Sequence, residues 1–75
     1  MPELEMIPVD SSLISAAGYD GDKEELHVQF NSGDRYVYES VPPSVFEDLM
    51  EALSPGGYFA RQIKPIYPCR KLREE

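Results

Sequence analysis

Apolar and polar positions alternate near the middle of the chain. In Leu26-His27-Val28-Gln29-Phe30 the apolar residues fall on one face and His27 and Gln29 on the other. That period of two is the mark of a strand with one buried side. Arg35 to Ser40 repeats it with Tyr36, Val37 and Tyr38, and Asn31-Ser32-Gly33 between the two stretches is turn chemistry, so the pair reads as a hairpin. Leu13 to Tyr19 predicts an earlier strand, weakened by its Ala-Ala-Gly run. Tyr19-Asp20-Gly21-Asp22-Lys23 supplies the turn that follows it.

The period then changes. Val41-Pro42-Pro43-Ser44 ends the third strand and pre-sets φ for a helix start. Ser44 with Glu47 matches a capping box, and Pro42 or Pro43 also suits the first turn. Val45, Phe46, Leu49, Met50 and Leu53 form one helical stripe, with Glu47, Asp48 and Glu51 towards the other side. Ser54-Pro55-Gly56-Gly57 breaks this helix and resembles a fresh start, with Ser54 as N-cap and Pro55 at the first helical position. Tyr58, Phe59 and Ile63 share one face of the second helix, which Pro65 stops. Ile66 and Tyr67 are further anchors. The expected fold is α+β: a three-stranded antiparallel meander followed by two short helices packed on one sheet face. Residues 1–8 read as a flexible lead-in with Ile7 and Val9 docking at an edge, 9–68 as the domain, and 69–75 as a charged tail.

The loop between the central strands decides where the tyrosines point. Asn31-Ser32-Gly33 suits a type I turn closed by a glycine in the left-handed region. Phe30 then faces Asp34, Val28 faces Tyr36 and Leu26 faces Tyr38, so both rings join the apolar face. His27, Gln29, Arg35, Val37 and Glu39 form the wetter face. A loop of two or four residues shifts the register by one and stands both tyrosines on the polar face, where they are free to stack on bases. The three-residue loop is favoured because it gathers the apolar side chains on one side.

Length and charge narrow the function. At 75 residues the chain makes one domain with little material for a deep pocket, which counts against an enzyme. The net charge of −7 argues against a general phosphate-backbone binder. It is unevenly placed: residues 1–52 hold twelve acids and two bases, Lys23 and Arg35, whereas residues 53–75 hold two acids and Arg61, Lys64, Arg70, Lys71 and Arg73. Cys69 is the only cysteine, so no internal disulfide and no cysteine-based zinc site forms. That fits a reducing cytoplasm. Neither a membrane-spanning run nor a secretory signal is visible.

Each group with candidate chemistry has a structural alternative. Tyr36 and Tyr38 are stacking platforms or core rings with hydroxyls at the rim. Arg61, Lys64, Arg70 and Lys71 contact phosphates or form a solvated face. Ser54, Gly56 and Gly57 cradle an anion on exposed N–H groups or make a tight inter-helix turn. His27 reads as a surface residue, and Asp20, Asp22, Glu24 and Glu25 as a solvated acidic loop without the spacing of a calcium site. Arg70 and Lys71 would lower the Cys69 pKa, but the one histidine is far off in sequence. No catalytic residue, metal or cofactor is expected.

Val9-Asp10-Ser11-Ser12, Gly18-Tyr19-Asp20, Leu26 to Phe30, Gly33, Tyr36-Val37-Tyr38, Val41-Pro42, Ala52, Ser54, Gly56, Tyr58-Phe59, Ile63-Lys64 and Tyr67 occur in that order. Together they resemble the KTSC domain, named after the C-terminal domain of some lysyl-tRNA synthetases, over Val9 to Tyr67. The resemblance implies a small binding module with RNA, transfer RNA or a single strand, as its expected partner. The strongly acidic first two-thirds departs from an RNA binder. The other expectation is a protein-interaction module that meets its partner with an acidic face or a sheet edge.

Overall fold

The computed structural model describes residues 4–72. Seven elements follow in order: β1 (Ile7–Pro8), β2 (Ile14–Asp20), β3 (Glu25–Phe30), β4 (Arg35–Tyr38), α1 (Pro43–Glu51), α2 (Pro55–Gln62) and β5 (Cys69–Leu72). The strands form one antiparallel sheet in chain order, with both helices inserted between β4 and β5. The α+β expectation holds. The sheet has two strands more than the meander of three: Ile7 pairs with Ala17 at one edge, and Cys69 to Leu72 pair with β4 at the other. Alternation cannot reveal a two-residue strand, and β5 is mostly polar because its side chains reach solvent. The rest of the expected tail, residues 73–75 with Arg73, lies outside the described residues.

The central hairpin has the register that a three-residue loop dictates. Phe30 and Asp34 close it through backbone bonds, Phe30 N–H to the Asp34 carbonyl at 2.9 Å and Gly33 N–H to the Phe30 carbonyl at 2.9 Å. Gly33 sits at φ 103°, a region that L side chains rarely enter. Val28 then faces Tyr36, and Leu26 faces Tyr38. Since side chains alternate across a strand, both tyrosines turn towards the helices.

On that face Ile14, Ala17, Leu26, Val28, Tyr38, Val41, Leu49, Phe59 and Ile63 form the core, each 3% exposed or less. Phe59 anchors it, with edge-on contacts to Tyr38 at 5.2 Å and to Phe30 at 5.4 Å between ring centroids. Tyr19 stacks on Phe46 at 5.5 Å and donates to the Val41 carbonyl at 2.5 Å, tying β2 to the start of α1.

Two helix details differ from expectation. The Ser44–Glu47 capping box does not form; the alternative start holds instead, with Pro42 at the N-cap, Pro43 in the first turn and no side-chain cap. Once the helix starts at Pro43, Ser44 lies inside the first turn, where its hydroxyl no longer occupies the capping position. The α1 stripe also stops short. Ala52 turns extended, with φ −66° and ψ 141°, and Leu53 leaves the stripe to stand fully in solvent.

The other face of the sheet is less wet than its alternation implies. Val37, flanked across the strands by His27 and Arg70, is fully buried. Residues 4–6 cross this face at Gly18. A Cβ on Gly18 would lie 2.6 Å from the Glu5 carbonyl oxygen and 2.9 Å from Met6 Sδ.

Two substitutions test this packing by urea unfolding. Tyr38→Ala is expected to cost on the order of 3 kcal/mol, as for a buried aromatic, while Tyr38→Phe keeps the ring and is mild; an unchanged midpoint for Tyr38→Ala would remove the ring from the core. Gly18→Ala is expected to lift residues 4–6 off the sheet at a cost of about 1–3 kcal/mol, with hydrogen exchange quickening at the β1–β2 amides.

Candidate functional site

Helix α2 begins where the candidate anion site was expected. Ser54 is the N-cap, and its hydroxyl oxygen accepts from the Gly57 N–H at 3.3 Å. Pro55 fills the first helical position, where its missing N–H costs nothing. First-turn N–H groups have no carbonyl within the helix to bond, and the helix dipole adds partial positive charge. Gly56 is required for packing: a Cβ there would lie 2.9 Å from Ser11 Oγ and 3.3 Å from Leu13 Cβ.

Gly57 has a different role. A Cβ there would lie 3.2 Å from Arg61 Nη1 and 3.0 Å from Ser54 Oγ. The Arg61 side chain, one helical turn on, folds back so that its guanidinium rests over the first turn. The structure thus joins two features that the sequence presents separately, the Ser54-Gly56-Gly57 turn and the basic Arg61. Spacing of four residues was the available signal, since i and i+4 share a helix face.

The other candidates are dispersed. Lys64 is exposed beyond the far end of α2, about 12 Å of helix from the cap. Arg70 lies on the back face of β5, with Nε 3.1 Å from Glu39 Oε2 and Nη2 3.3 Å from Glu25 Oε2. Lys71 Nζ lies 3.5 Å from Asp34 Oδ1. Both are thus already engaged by carboxylates. Tyr36 is half-buried with its ring edge-on to Phe30 at 5.6 Å. Tyr38 is 3% exposed against Phe59 and offers no ring face for a base to stack on. Burial pushes its phenol pKa up, and the neighbouring Cys69 and Tyr36 push the same way.

The thiol and the imidazole lie on opposite faces of the sheet. Cys69 pairs with Tyr38 and shares its face, whereas His27 pairs with Val37 and points to the opposite one. The sheet therefore separates thiol from imidazole. No group of three or more His, Cys, Asp or Glu side chains converges as a metal site among the described residues. No helix among them is long and apolar enough to cross a membrane. His27, expected at the surface, is only 16% exposed, with Nε2 3.6 Å from Glu25. An open concavity of about 750 Å³ beside it is lined by Leu4, Glu5, Met6, His27, Arg35 and Leu72.

A five-stranded antiparallel sheet carrying two helices on one face defines a small α+β domain. The KTSC domain model matches residues 10–67, and the chain belongs to the KTSC domain family. A protein of Tsukamurella paurometabola is 47% identical over 62 residues, which span 83% of this chain and 92% of that one. A lysine–tRNA ligase of Nostoc punctiforme is 39% identical over 67 residues, 89% of this chain and 12% of the ligase. The crystal structure of a KTSC domain protein from Yersinia pestis is similar with a TM-score of 0.88 and 38% identity, covering 95% of this chain and all of that one.

The surroundings of His27 generate a pH prediction. Burial lowers its pKa below 6.5, and Arg35 and Arg70 act the same way, against the pull of Glu25. Between the folded and unfolded values the unfolded chain binds the extra proton, so stability falls as pH drops from 6.5 through the folded pKa. Thermal unfolding of His27→Gln is expected to decline less than the parent over that window. Parallel curves would show that His27 contributes nothing to the slope.

Proposed function

We propose that this chain is a non-catalytic module that binds RNA by seating a backbone phosphate at the start of α2. The observation that carries the reading is the Arg61 guanidinium lying over Gly57 in the first turn of a helix capped by Ser54. A phosphate there accepts hydrogen bonds from fixed donors and meets both the dipole and a full positive charge. The likeness of this chain to a stretch of a lysine–tRNA ligase supports RNA among phosphate-bearing partners. The acidity of the rest of the chain, net −7, disfavours broad backbone contact and confines binding to this end of the molecule. Lys64, exposed at the far end of α2, is the second cation available to the same strand.

Few phosphates are therefore engaged, and the salt dependence is shallow. With about 0.7 counterion released per phosphate on a single strand, Arg61 and Lys64 together give a log–log slope of about −1.4. Titrations with transfer RNA and with a single-stranded oligonucleotide measure it. Arg61→Ala is expected to halve the slope, and Arg70→Ala with Lys71→Ala to leave it unchanged, because their charges are already met by acids. Absence of binding to either RNA at low salt would overturn the reading.

A further inference from the structure

A second surface lies beside the α2 cap and has the opposite character. Pro8, Val9, Met50, Ala52, Leu53 and Pro55 line a groove of about 280 Å³, and Asp10 is the one charged residue among its walls. The two stretches that form it, residues 8–10 and 50–55, carry Asp10 and Glu51 and neither lysine nor arginine. Glu47 and Asp48 on α1 are exposed as well. Leu53 projects from the rim with its side chain wholly in solvent. It does so because Ala52 is extended, which ends α1 at Glu51, two residues before the apolar stripe ends at Leu53.

An isolated exposed leucine is ordinary; Leu53 instead stands at the rim of an apolar groove, with Asp10 and Glu51 on the stretches that form it. Its charge selects the occupant: a partner with apolar anchors loses little on burial against Val9, Met50 and Leu53, and only a cationic partner also gains from Asp10 and Glu51. We infer that this groove docks a basic peptide segment of a partner protein, with an apolar side chain between Leu53 and Val9 and lysine or arginine near Asp10 and Glu51. A nucleic acid is repelled by the same acids. The two surfaces of the molecule thus accept ligands of opposite charge, an anion at Arg61 and a cationic peptide at Leu53.

The test uses the full chain, isotopically labelled, and two synthetic twelve-residue amphipathic helices, one of leucine and lysine and one with glutamate at every lysine position. The lysine peptide is expected to give saturable amide shifts centred on Val9, Asp10, Ala52 and Leu53, and the glutamate peptide none. Leu53→Ser should weaken binding about tenfold, as for an anchor residue, without moving the thermal unfolding midpoint, since Leu53 makes no core contact. Asp10→Asn should weaken it less and flatten its salt dependence. Equal response to both peptides, shifts centred elsewhere, or indifference to Leu53→Ser would overturn the inference. So would shifts at these residues caused by an oligonucleotide, or by concentrating the chain alone, which would assign the groove to RNA or to a second copy.

Discussion

Gly33, at φ 103°, lets Phe30 and Asp34 meet across a three-residue turn, and every cross-strand pair of the central hairpin inherits its register from that meeting. A slip of one residue would carry Tyr36 and Tyr38 to the opposite face, away from Phe59. The core as built needs Tyr38 and Phe30 on both sides of that ring. The helices have no other surface on which to bury Leu49, Phe59 and Ile63. The turn therefore governs more than the hairpin: it places the aromatic cluster that seats both helices, and through α2 it places the Ser54–Arg61 cap.

Electrostatics divides the molecule along different lines from the sequence. The basic C-terminal third looks like one patch in the linear chain, yet folding scatters it. β5 alternates, sending Arg70 to Glu25 and Glu39 and Lys71 to Asp34. These are partly exposed pairs, worth little for stability individually, but they neutralise the bases that a phosphate would otherwise meet. Their position at a sheet edge has a second effect, because charged side chains on an edge strand discourage pairing with another chain. The two proposed ligand surfaces lie side by side: the helix cap with Arg61, and an apolar groove flanked by Asp10 and Glu51. The chain belongs to the KTSC family, and a similar stretch occurs within lysine–tRNA ligases.

Local signals settled much of this in advance. Period-two alternation located β3 and β4, the Asn-Ser-Gly loop chose their register, and Ser54-Pro55 marked the start of α2, because each depends on residues within a few positions of one another. The candidate site was half legible: the Ser54-Gly56-Gly57 turn and Arg61 were both visible, and their meeting was not, since it depends on which rotamer of Arg61 the first turn of α2 leaves open. Other features were decided by contacts distant in sequence. The edge strands β1 and β5 exist because β2 and β4 offer them hydrogen bonds. Val37 is buried, against its own alternation, because β5 as well as β3 pairs with its strand and sets Arg70 and His27 on either side of it. Leu53 is exposed, against its helical stripe, because the chain must turn at Ala52 to bring α2 back over Phe30 and Tyr38. Sequence by itself determines which residues seek burial and where the backbone can turn; only the assembled sheet determines which of them find a partner, since that requires surfaces that no single segment carries.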